Sequence, residues 1–376
     1  MSFGWCVTPH GFGHAARACA VMNACSRRCP SIRHEIFTTV PRGFFAESLG
    51  RNRFGYHHIA CDVGMVQSTA LDEDVPATVG ALDRLRRRTR LETLAELVRA
   101  AGCAVVVSDI APMGLAAARR FSIPGVLIES FSWDWIYRDY DDDRLQIHGQ
   151  RLAEWSRSAG LVIQTEPCCR RRDRWRCVAP ISRRTTASRS DTRRRLGIPA
   201  DARVVLLSTG VADAAQGRAR DIDLPRGATA VVPASVRGQW DRIEGDVVVV
   251  DDVYHPDLVA ASDVVVAKLG YSTVAEVYHG SAALAYLRRP RFRESAVLEA
   301  FVRKHVPSAA LPEGGLGEPA AARVLRDLLV SPRPAGPRLN GDDDAAELIL
   351  RFIGLPATRG AHHGTQATCG TRRFPP

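Results

Sequence analysis

Two histidines near the N-terminus have the residue type and spacing that acid–base chemistry requires. His10 and His14 enclose a glycine-rich segment, HGFGH, which follows an apolar run at residues 3–7. Histidine exchanges a proton near neutral pH, so His14 is the first candidate for a catalytic base and His10 is the second. An alternative stays open, in which one histidine caps the next helix and the other lines a cleft.

A second glycine-containing loop has groups that suit a diphosphate and a ribose. The apolar stretch DVVVA leads into Lys268, Gly270, Ser272 and Thr273, with Glu276 one turn later. Backbone amides at a helix start favour anions, and the hydroxyls add donors. A carboxylate beyond them can accept hydrogen bonds from ribose hydroxyls. An ordinary strand–helix turn, with Thr273 as N-cap and Glu276 as its capping-box partner, explains the same residues.

Further candidates follow two other apolar stretches. Asp109 ends the run CAVVVS, where it is a second candidate base, an orienting carboxylate or a helix cap. The segment SFSWDWIY places Trp133 and Asp134 among aromatic residues. Because aromatic rings suit sugar faces and carboxylates suit sugar hydroxyls, we predict that Phe12, Trp133 and Asp134 face an acceptor. Anchoring of the tryptophans in the core is an equally good explanation.

The elements that position these residues form two series of strands alternating with helices. This pattern predicts an α/β protein with two Rossmann-like doubly wound domains facing a cleft. Ligands of such sheets bind at the carboxyl ends of strands, where both glycine loops lie. We predict a first domain at 1–178, an Arg-rich linker at 179–200 and a second domain at 201–330. The tail at 331–376 is expected to contain a crossover helix at 342–353 and a disordered end.

Composition excludes several classes of protein. The 376 residues are 45% hydrophobic and 24% charged, which is ordinary for globular proteins and unlike collagen or disordered chains. No apolar run reaches the roughly 18 residues of a membrane span, and no signal peptide is recognisable. Ten cysteines without a CxxC pair indicate reduced thiols, so we expect a cytoplasmic protein.

The net charge of +10 comes mainly from arginine, because only two of the 51 basic residues are lysine. Such usage is typical of a GC-rich, bacterial genome. Much of the excess lies at residues 166–195, which we interpret as a solvated linker, with a patch for an anionic acceptor or an anionic membrane surface as the alternative. We predict no nucleic-acid partner, and no obligate protein partner is evident.

Several motifs together resemble a known family. HGFGHAAR, CDVGMVQ, VSDIAPMGLAAA and SFSWDWIY resemble the glycosyltransferase-like domain at the N-terminus of arabinokinases and related bacterial proteins. Residues 251–287 look like the donor half of GT-B glycosyltransferases, which include the lipid II N-acetylglucosaminyltransferase type. The likeness spans about residues 1–330 and implies the GT-B fold. It does not extend to a sugar-kinase domain, so kinase activity is not expected.

The resemblance implies a function and a donor. A nucleotide-diphosphate sugar would be the co-substrate, bound by the domain at 201–330 with Arg293 and Glu294 near its sugar. The domain at 1–178 would be the acceptor side. Transfer to an acceptor hydroxyl would invert the anomeric centre without a metal or another cofactor. The aspartate-rich run at 139–143 follows an aromatic loop, so we predict no metal site there. The stretch LLSTGVADA lacks the glycine pair usual in relatives, so a non-catalytic sugar-nucleotide-binding protein and a GT-B-fold epimerase remain alternatives.

Overall fold

The first half of the chain folds around one parallel sheet. The computed structural model describes residues 1–68, 72–173, 175–208, 221–238, 240, 242–313 and 315–356. The strands of the first half are β1 (Ser2–Val7), β2 (Arg33–Thr38), β3 (Phe54–His58), β4 (Cys103–Asp109), β5 (Gly125–Glu129), β6 (Leu161–Thr165) and β7 (Arg176–Val178). Their order is β3-β2-β1-β4-β5-β6-β7. The central strands β1 and β4 are buried on both faces, as continuous apolar runs in a parallel sheet require.

Helices cover both faces of this sheet, because the strands from β1 to β5 are each followed by one or two helices that cross back to the next strand. These helices are α1 (Gly13–Arg28), α2 (Arg42–Leu49), α3 (Val75–Leu85), α4 (Arg88–Ala100), α5 (Pro112–Arg119), α6 (Trp133–Tyr137) and α7 (Asp143–Ser156). Helix α1 begins directly after the HGFGH loop, so His14 lies in its first turn.

The second half forms another parallel sheet with the order β12-β10-β8-β13-β14-β15. Its strands, with the separate pair β9 and β11, are β8 (Arg203–Leu207), β9 (Asp221–Asp223), β10 (Ala228–Pro233), β11 (Arg242–Glu244), β12 (Asp246–Val250), β13 (Val264–Lys268), β14 (Ala283–Leu287) and β15 (Ser308–Ala310). The helices are α8 (Arg189–Arg195), α9 (Ala234–Arg237), α10 (His255–Ala261), α11 (Tyr271–Gly280), α12 (Glu294–His305), α13 (Pro319–Leu329) and α14 (Asp342–Phe352). The predicted α/β architecture with two doubly wound sheets is confirmed.

Helix α14 returns to the first sheet. Ala345, Ile349 and Leu350 are fully buried in the core of the first half, and the helix packs along α1. Ion pairs stabilise the start of this helix, because the buried carboxylate of Asp342 accepts hydrogen bonds from Arg27 at 2.8 Å and from Arg184 at 2.9 Å. The last residues, from 357 onward, lie outside the described residues, and so does the departure from the glycine pair at Thr209 and Gly210.

The Arg-rich stretch is solvated only in part. Arg183 and Arg193 are 6% and 2% exposed. Arg193 donates to Ala261 O at 2.9 Å and to Asp263 at 2.9 Å, so its charge is used within the second half. The interpretation as a solvated linker is therefore wrong for these arginines, because each compensates buried carboxylates or carbonyls. Within the described part of the chain, no helix is long and apolar enough to span a membrane.

Candidate functional site

The first glycine-rich loop brings an imidazole to a buried carboxylate. Gly11 has φ +68°, a left-handed conformation that favours glycine, and it lets the chain turn from β1 into α1. His14 therefore faces the carboxyl edge of the sheet, where Asp109 ends β4. Its Nδ1 lies 2.9 Å from Asp109 Oδ1. Because a carboxylate only accepts, Nδ1 carries the proton and Nε2 is left as the basic nitrogen.

Arg17 fixes this carboxylate from the next turn of α1. Its Nε donates to Asp109 Oδ2 at 2.8 Å and its Nη2 donates to Asp109 Oδ1 at 2.6 Å. The Nη1 group reaches Ser130 Oγ at 3.2 Å, and the guanidinium lies 4.8 Å from the centre of the Tyr271 ring in the second half. One buried arginine therefore joins the ends of β4 and β5 and contacts the opposite domain.

The charges in this cluster are set by burial and by Arg17. Burial lowers the pKa of His14 below its ordinary value, although Asp109 opposes the shift, so the imidazole is neutral at pH 7. Burial opposes ionisation of Asp109, but the charge and hydrogen bonds of Arg17 outweigh it and hold the pKa of Asp109 below its usual range. The result is an ionised carboxylate that orients a neutral histidine.

His10 has a different environment. Its Nδ1 is 3.0 Å from the Met65 carbonyl oxygen, and its ring stacks on Phe292 with 5.7 Å between centroids. Trp133 packs edge-on at 5.3 Å. Burial, aided by electrostatic interactions with His14, Arg289 and Lys268, lowers the pKa of His10 to about 3, so it is a weak base at neutral pH. The partner of His10 is a backbone carbonyl, whereas the partner of His14 is a carboxylate.

The second glycine-containing loop opens helix α11. The helix begins at Tyr271 after Gly270, and Ser272 and Thr273 lie in its first turn. The N-cap residue is Gly270, which makes no side-chain cap, so the alternative with Thr273 as N-cap is wrong. A β-carbon built on Gly13 would lie 3.1 Å from Ser272 Oγ. The HGFGH loop of the first domain thus packs directly against the amino end of α11.

Glu276, one turn into α11, is held at both carboxylate oxygens. Arg183 donates to Oε1 from Nε at 3.2 Å and from Nη2 at 3.1 Å. His255 Nδ1 lies 2.7 Å from Oε2. Burial would raise the pKa of Glu276, but the charges of Arg183 and His255 lower it to about 2. These bonds also exclude the capping-box role for Glu276.

A cavity of about 510 Å³ lies between the two domains beside these groups. We call it the interdomain cleft. Phe12 and Ala16, on either side of His14 in the chain, line it from the first domain, and Ser272, Thr273 and Glu276 line it from the second. His14 itself is not in the lining, but the two predicted loops share one cleft.

The comparisons with known proteins agree with this architecture. Arabidopsis thaliana UGT89C1 complexed with quercetin superposes with a TM-score of 0.60 at 12% identity, covering 94% of this chain and 99% of that one. The glycosyltransferase VinC in complex with DTDP gives 0.56 at 14% identity, covering 95% and 96%. Acinetobacter baumannii MurG gives 0.53 at 14%, covering 93% and 99%. The chain has the GT-B fold.

In sequence, the chain is 27% identical to L-arabinokinase of Arabidopsis thaliana over 387 residues. The match covers 93% of this chain but 36% of that protein, so the chain spans about a third of its length. No protein-family model matches the sequence. The structural neighbours are too distant in sequence to show more than the GT-B fold.

The three residues predicted to face the acceptor lie in different parts of the first domain. Phe12 is 54% exposed, stacks on Phe44 at 5.1 Å, and lines the interdomain cleft with the donor-side residues. Trp133 is 2% exposed and its Nε1 donates to Asp62 at 2.8 Å, so it is a core residue. Asp134 pairs with Arg138 and lines another cavity of the first domain. The structure does not bring these three residues to one surface.

The other residues predicted to bind the donor also lie in different environments. Arg293 donates to Trp135 O at 2.8 Å and stacks on that ring at 4.3 Å, so it fastens the second domain to the first. Glu294 is 4% exposed, and burial raises its pKa to about 7. Its Oε1 has no hydrogen-bond partner within the described part of the chain. Lys268, at the end of β13, is close enough to His10 to lower the pKa of that histidine.

Sequence reasoning missed two residues that complete the site. Arg17 lies within the HGFGHAAR motif, and Arg183 lies within the Arg-rich stretch. The signal for Arg17 was its position one turn after His14 on the same helix face. No local signal distinguished Arg183 from its neighbouring arginines.

Proposed function

We propose that this protein is a glycosyltransferase that moves a sugar from a nucleotide-diphosphate sugar to an acceptor hydroxyl. The observation that carries the proposal is the contact of Gly13 with Ser272, which brings the His14 cluster to the amino end of α11. The likeness to solved glycosyltransferases, one of them in complex with DTDP, supports a nucleotide-sugar donor.

The donor would bind at α11. The first backbone amides of the helix and the Ser272 and Thr273 hydroxyls would hold the diphosphate, because they combine free donors with the positive end of the helix dipole. The carboxylate of Glu276 would accept from the ribose hydroxyls. Among the described residues, Oε1 accepts from Arg183 and Oε2 accepts from His255, so each oxygen keeps acceptor capacity for a hydroxyl.

The transfer step follows from the orientation of His14. Nε2 takes the proton of the acceptor hydroxyl while that oxygen forms a bond to the anomeric carbon. The bond from this carbon to the diphosphate oxygen breaks, and its electron pair leaves with the diphosphate. Attack opposite the leaving group inverts the anomeric centre. The amino end of α11 and the two hydroxyls stabilise the departing charge, so this scheme requires no metal.

A nucleotide-sugar screen on the full chain tests the proposal. Thermal melting is measured with UDP-, GDP- and dTDP-sugars, followed by mass spectrometry for hydrolysis and transfer. We expect one nucleotide series to raise the melting midpoint, because a ligand at about 100 times its Kd stabilises by about 2.7 kcal/mol. The variant Glu276→Gln should lose this shift, and the control Glu299→Gln, on α12 outside the cleft, should keep it.

Two outcomes would contradict the proposal. If none of the nucleotide sugars shifts the midpoint of the wild-type chain, the donor assignment fails. If nucleotide sugars bind but His14→Gln turns them over at the wild-type rate, the assignment of His14 as base fails.

A further inference from the structure

A second cavity, of about 840 Å³, lies on the first domain away from the interdomain cleft. We call it the side groove. The ends of β5 and β6 form its floor, helix α7 forms one wall, and the loop at 166–175 forms the other. The described residues of this loop form no helix, so the sheet face beside α7 stays uncovered. The groove therefore results from the way the chain connects β6 to β7.

The wall formed by α7 is polar along its whole length. Gln146, Gln150, Glu154 and Arg157 follow one another at helical spacing and line the groove. The opposite face of α7 carries Leu152, which is 1% exposed in the core. The polar side chains of α7 thus face the loop at 166–175 across the groove, so the two walls can contact a ligand from both sides.

The floor contains a carboxyl group that is almost completely buried. Glu129 is 5% exposed and lines the groove. Burial raises its pKa to about 7, although the charge of Arg172 and a hydrogen bond from Gln164 oppose the shift. In either protonation state the carboxyl group keeps acceptor oxygens for a ligand hydroxyl.

The groove and the His14 cluster share one segment of chain. Glu129 and Ser132 line the groove. Between them, Ser130 accepts from Arg17 at 3.2 Å, and the Phe131 ring lies 5.9 Å from the His14 ring. Residues 129–132 therefore line the groove at both ends of the segment and contact the His14 cluster in the middle. A ligand in the groove lies next to this segment.

The other lining groups indicate a hydrophilic ligand. Arg138 pairs with Asp134 at 3.1 Å, and Arg172 stacks on Trp175 at 4.3 Å, so both guanidinium groups are held in fixed positions. The apolar lining is small and scattered, at Leu127, Ala153, Ala159 and Val162. A lipid chain or an aromatic aglycone would leave many of the polar groups desolvated without partners, which costs free energy. A hydroxyl-rich molecule would satisfy them.

We propose that the side groove binds a carbohydrate, the non-reacting part of a hydroxyl-rich acceptor whose reacting hydroxyl passes over Ser132 toward His14. This assignment rests on the proposed glycosyltransferase function. It deepens that function by naming the acceptor class and the residues that recognise it, foremost Glu129 and Gln150. The donor side of the interdomain cleft takes no part in this recognition.

The test uses a bulky substitution that fills the groove. In Gln150→Trp an indole occupies the space in front of Glu129. Ile147→Trp is the matched control, because Ile147 is 49% exposed on the same helix and does not line the groove. Glu129→Gln is a second, nearly isosteric variant that keeps the shape of the floor. The first assay measures binding of the full-length variants to a glycan array in the absence of donor. The second assay measures transfer from the donor found in the nucleotide screen, with short oligosaccharides, isoprenyl phosphates and flavonoids as acceptors.

We expect the wild type and Ile147→Trp to bind a subset of glycans and to transfer to oligosaccharides, with Gln150→Trp reduced on the order of tenfold or more in both assays. Glu129→Gln should weaken glycan binding and leave the nucleotide melting shift unchanged. Transfer to isoprenyl phosphates or flavonoids that Gln150→Trp leaves intact would overturn the groove assignment while the transferase proposal stands. An absence of both glycan binding and oligosaccharide transfer in the wild type would also overturn it. Glycan binding that Gln150→Trp abolishes, in a chain that binds no nucleotide sugar, would support the groove and refute the transferase proposal.

Discussion

The ion pair of Arg183 with Glu276 offers a quantitative test of how the cleft is stabilised. Both side chains are about 5% exposed, and the guanidinium lies between the rings of Phe44 and Tyr254, 4.9 Å from each. The substitution Arg183→Met keeps an apolar stem between these rings but removes the charge. It leaves the carboxylate of Glu276 buried with His255 as its partner.

The expected loss follows from the distance between the charges. With N and O 3.1 Å apart, an effective dielectric constant of about 20 gives an attraction of about 5 kcal/mol. Removal of one partner from a buried pair typically costs about 3–5 kcal/mol, because the other charge stays desolvated. We therefore expect Arg183→Met to lower the free energy of unfolding by about 3–5 kcal/mol.

Urea unfolding followed by circular dichroism at pH 7.5 measures this loss. Glu276→Gln should cost a similar amount, and the double variant should lose less than the sum, with an interaction energy of about 2–3 kcal/mol. Arg303→Met is the control, since its pair with Glu299 is solvent-exposed and should contribute at most about 1 kcal/mol. The reasoning is refuted if Arg183→Met behaves like this control, or if the two single losses simply add.

Three further outcomes follow from the site. His14→Gln should lower the transfer rate on the order of 10²–10⁴-fold, whereas His10→Gln should have a much smaller effect; equal losses in initial-rate assays would contradict the assignment of the base. Because burial holds the pKa of His14 below 6.5, activity should be level from neutral pH upward and should fall as the pH drops through that lowered pKa. Asp109→Asn, which reverses the tautomer of His14, should lower the plateau of the rate. A wild-type rate that still rises above pH 7 would argue against a neutral His14 as the base. Glu276 has a folded pKa of about 2 against an ordinary 4.5, so its contribution to the free energy of unfolding is complete above pH 4.5 and is lost as the pH falls toward 2, by about 3 kcal/mol in total. Urea midpoints between pH 7 and 3 should therefore fall more steeply for the wild type than for Glu276→Gln. Parallel curves for the two proteins would exclude this contribution.

Much of the fold could be predicted because parallel strands have a clear signature. The run CAVVVS became β4, and DVVVA became most of β13, since strands covered on both faces are apolar throughout. The rule that ligands bind at the carboxyl ends of strands then predicted that the His14 and Ser272 loops would share a cleft. This prediction needed only the order of the elements.

The pairing of charged side chains could not be predicted in the same way. Arg17 and Asp109 are 92 residues apart, and their contact depends on the packing of α1 against β4. Arg183 stands in a stretch whose composition suggested a linker, and only the tertiary structure brings it to Glu276. Local sequence shows which groups are charged, but it does not show which of them will be buried together.

The aromatic residues illustrate the same limit. Phe12 was expected on the acceptor side and Trp133 was expected to offer a sugar-binding face. In the structure Phe12 is exposed in the interdomain cleft, and Trp133 is buried against Asp62. Both residue types suit a core and a binding surface equally well, so their roles depend on the direction of each side chain.

The return of α14 to the first sheet has a mechanical consequence. The chain crosses between the domains twice, once near Arg183 and again before Asp342, and Arg184 bonds to Asp342 where the two crossings meet. Because the two connections lie side by side, the domains would move about this point if the cleft opened. Any opening that admits a substrate would therefore leave the contact of Arg184 with Asp342 in place.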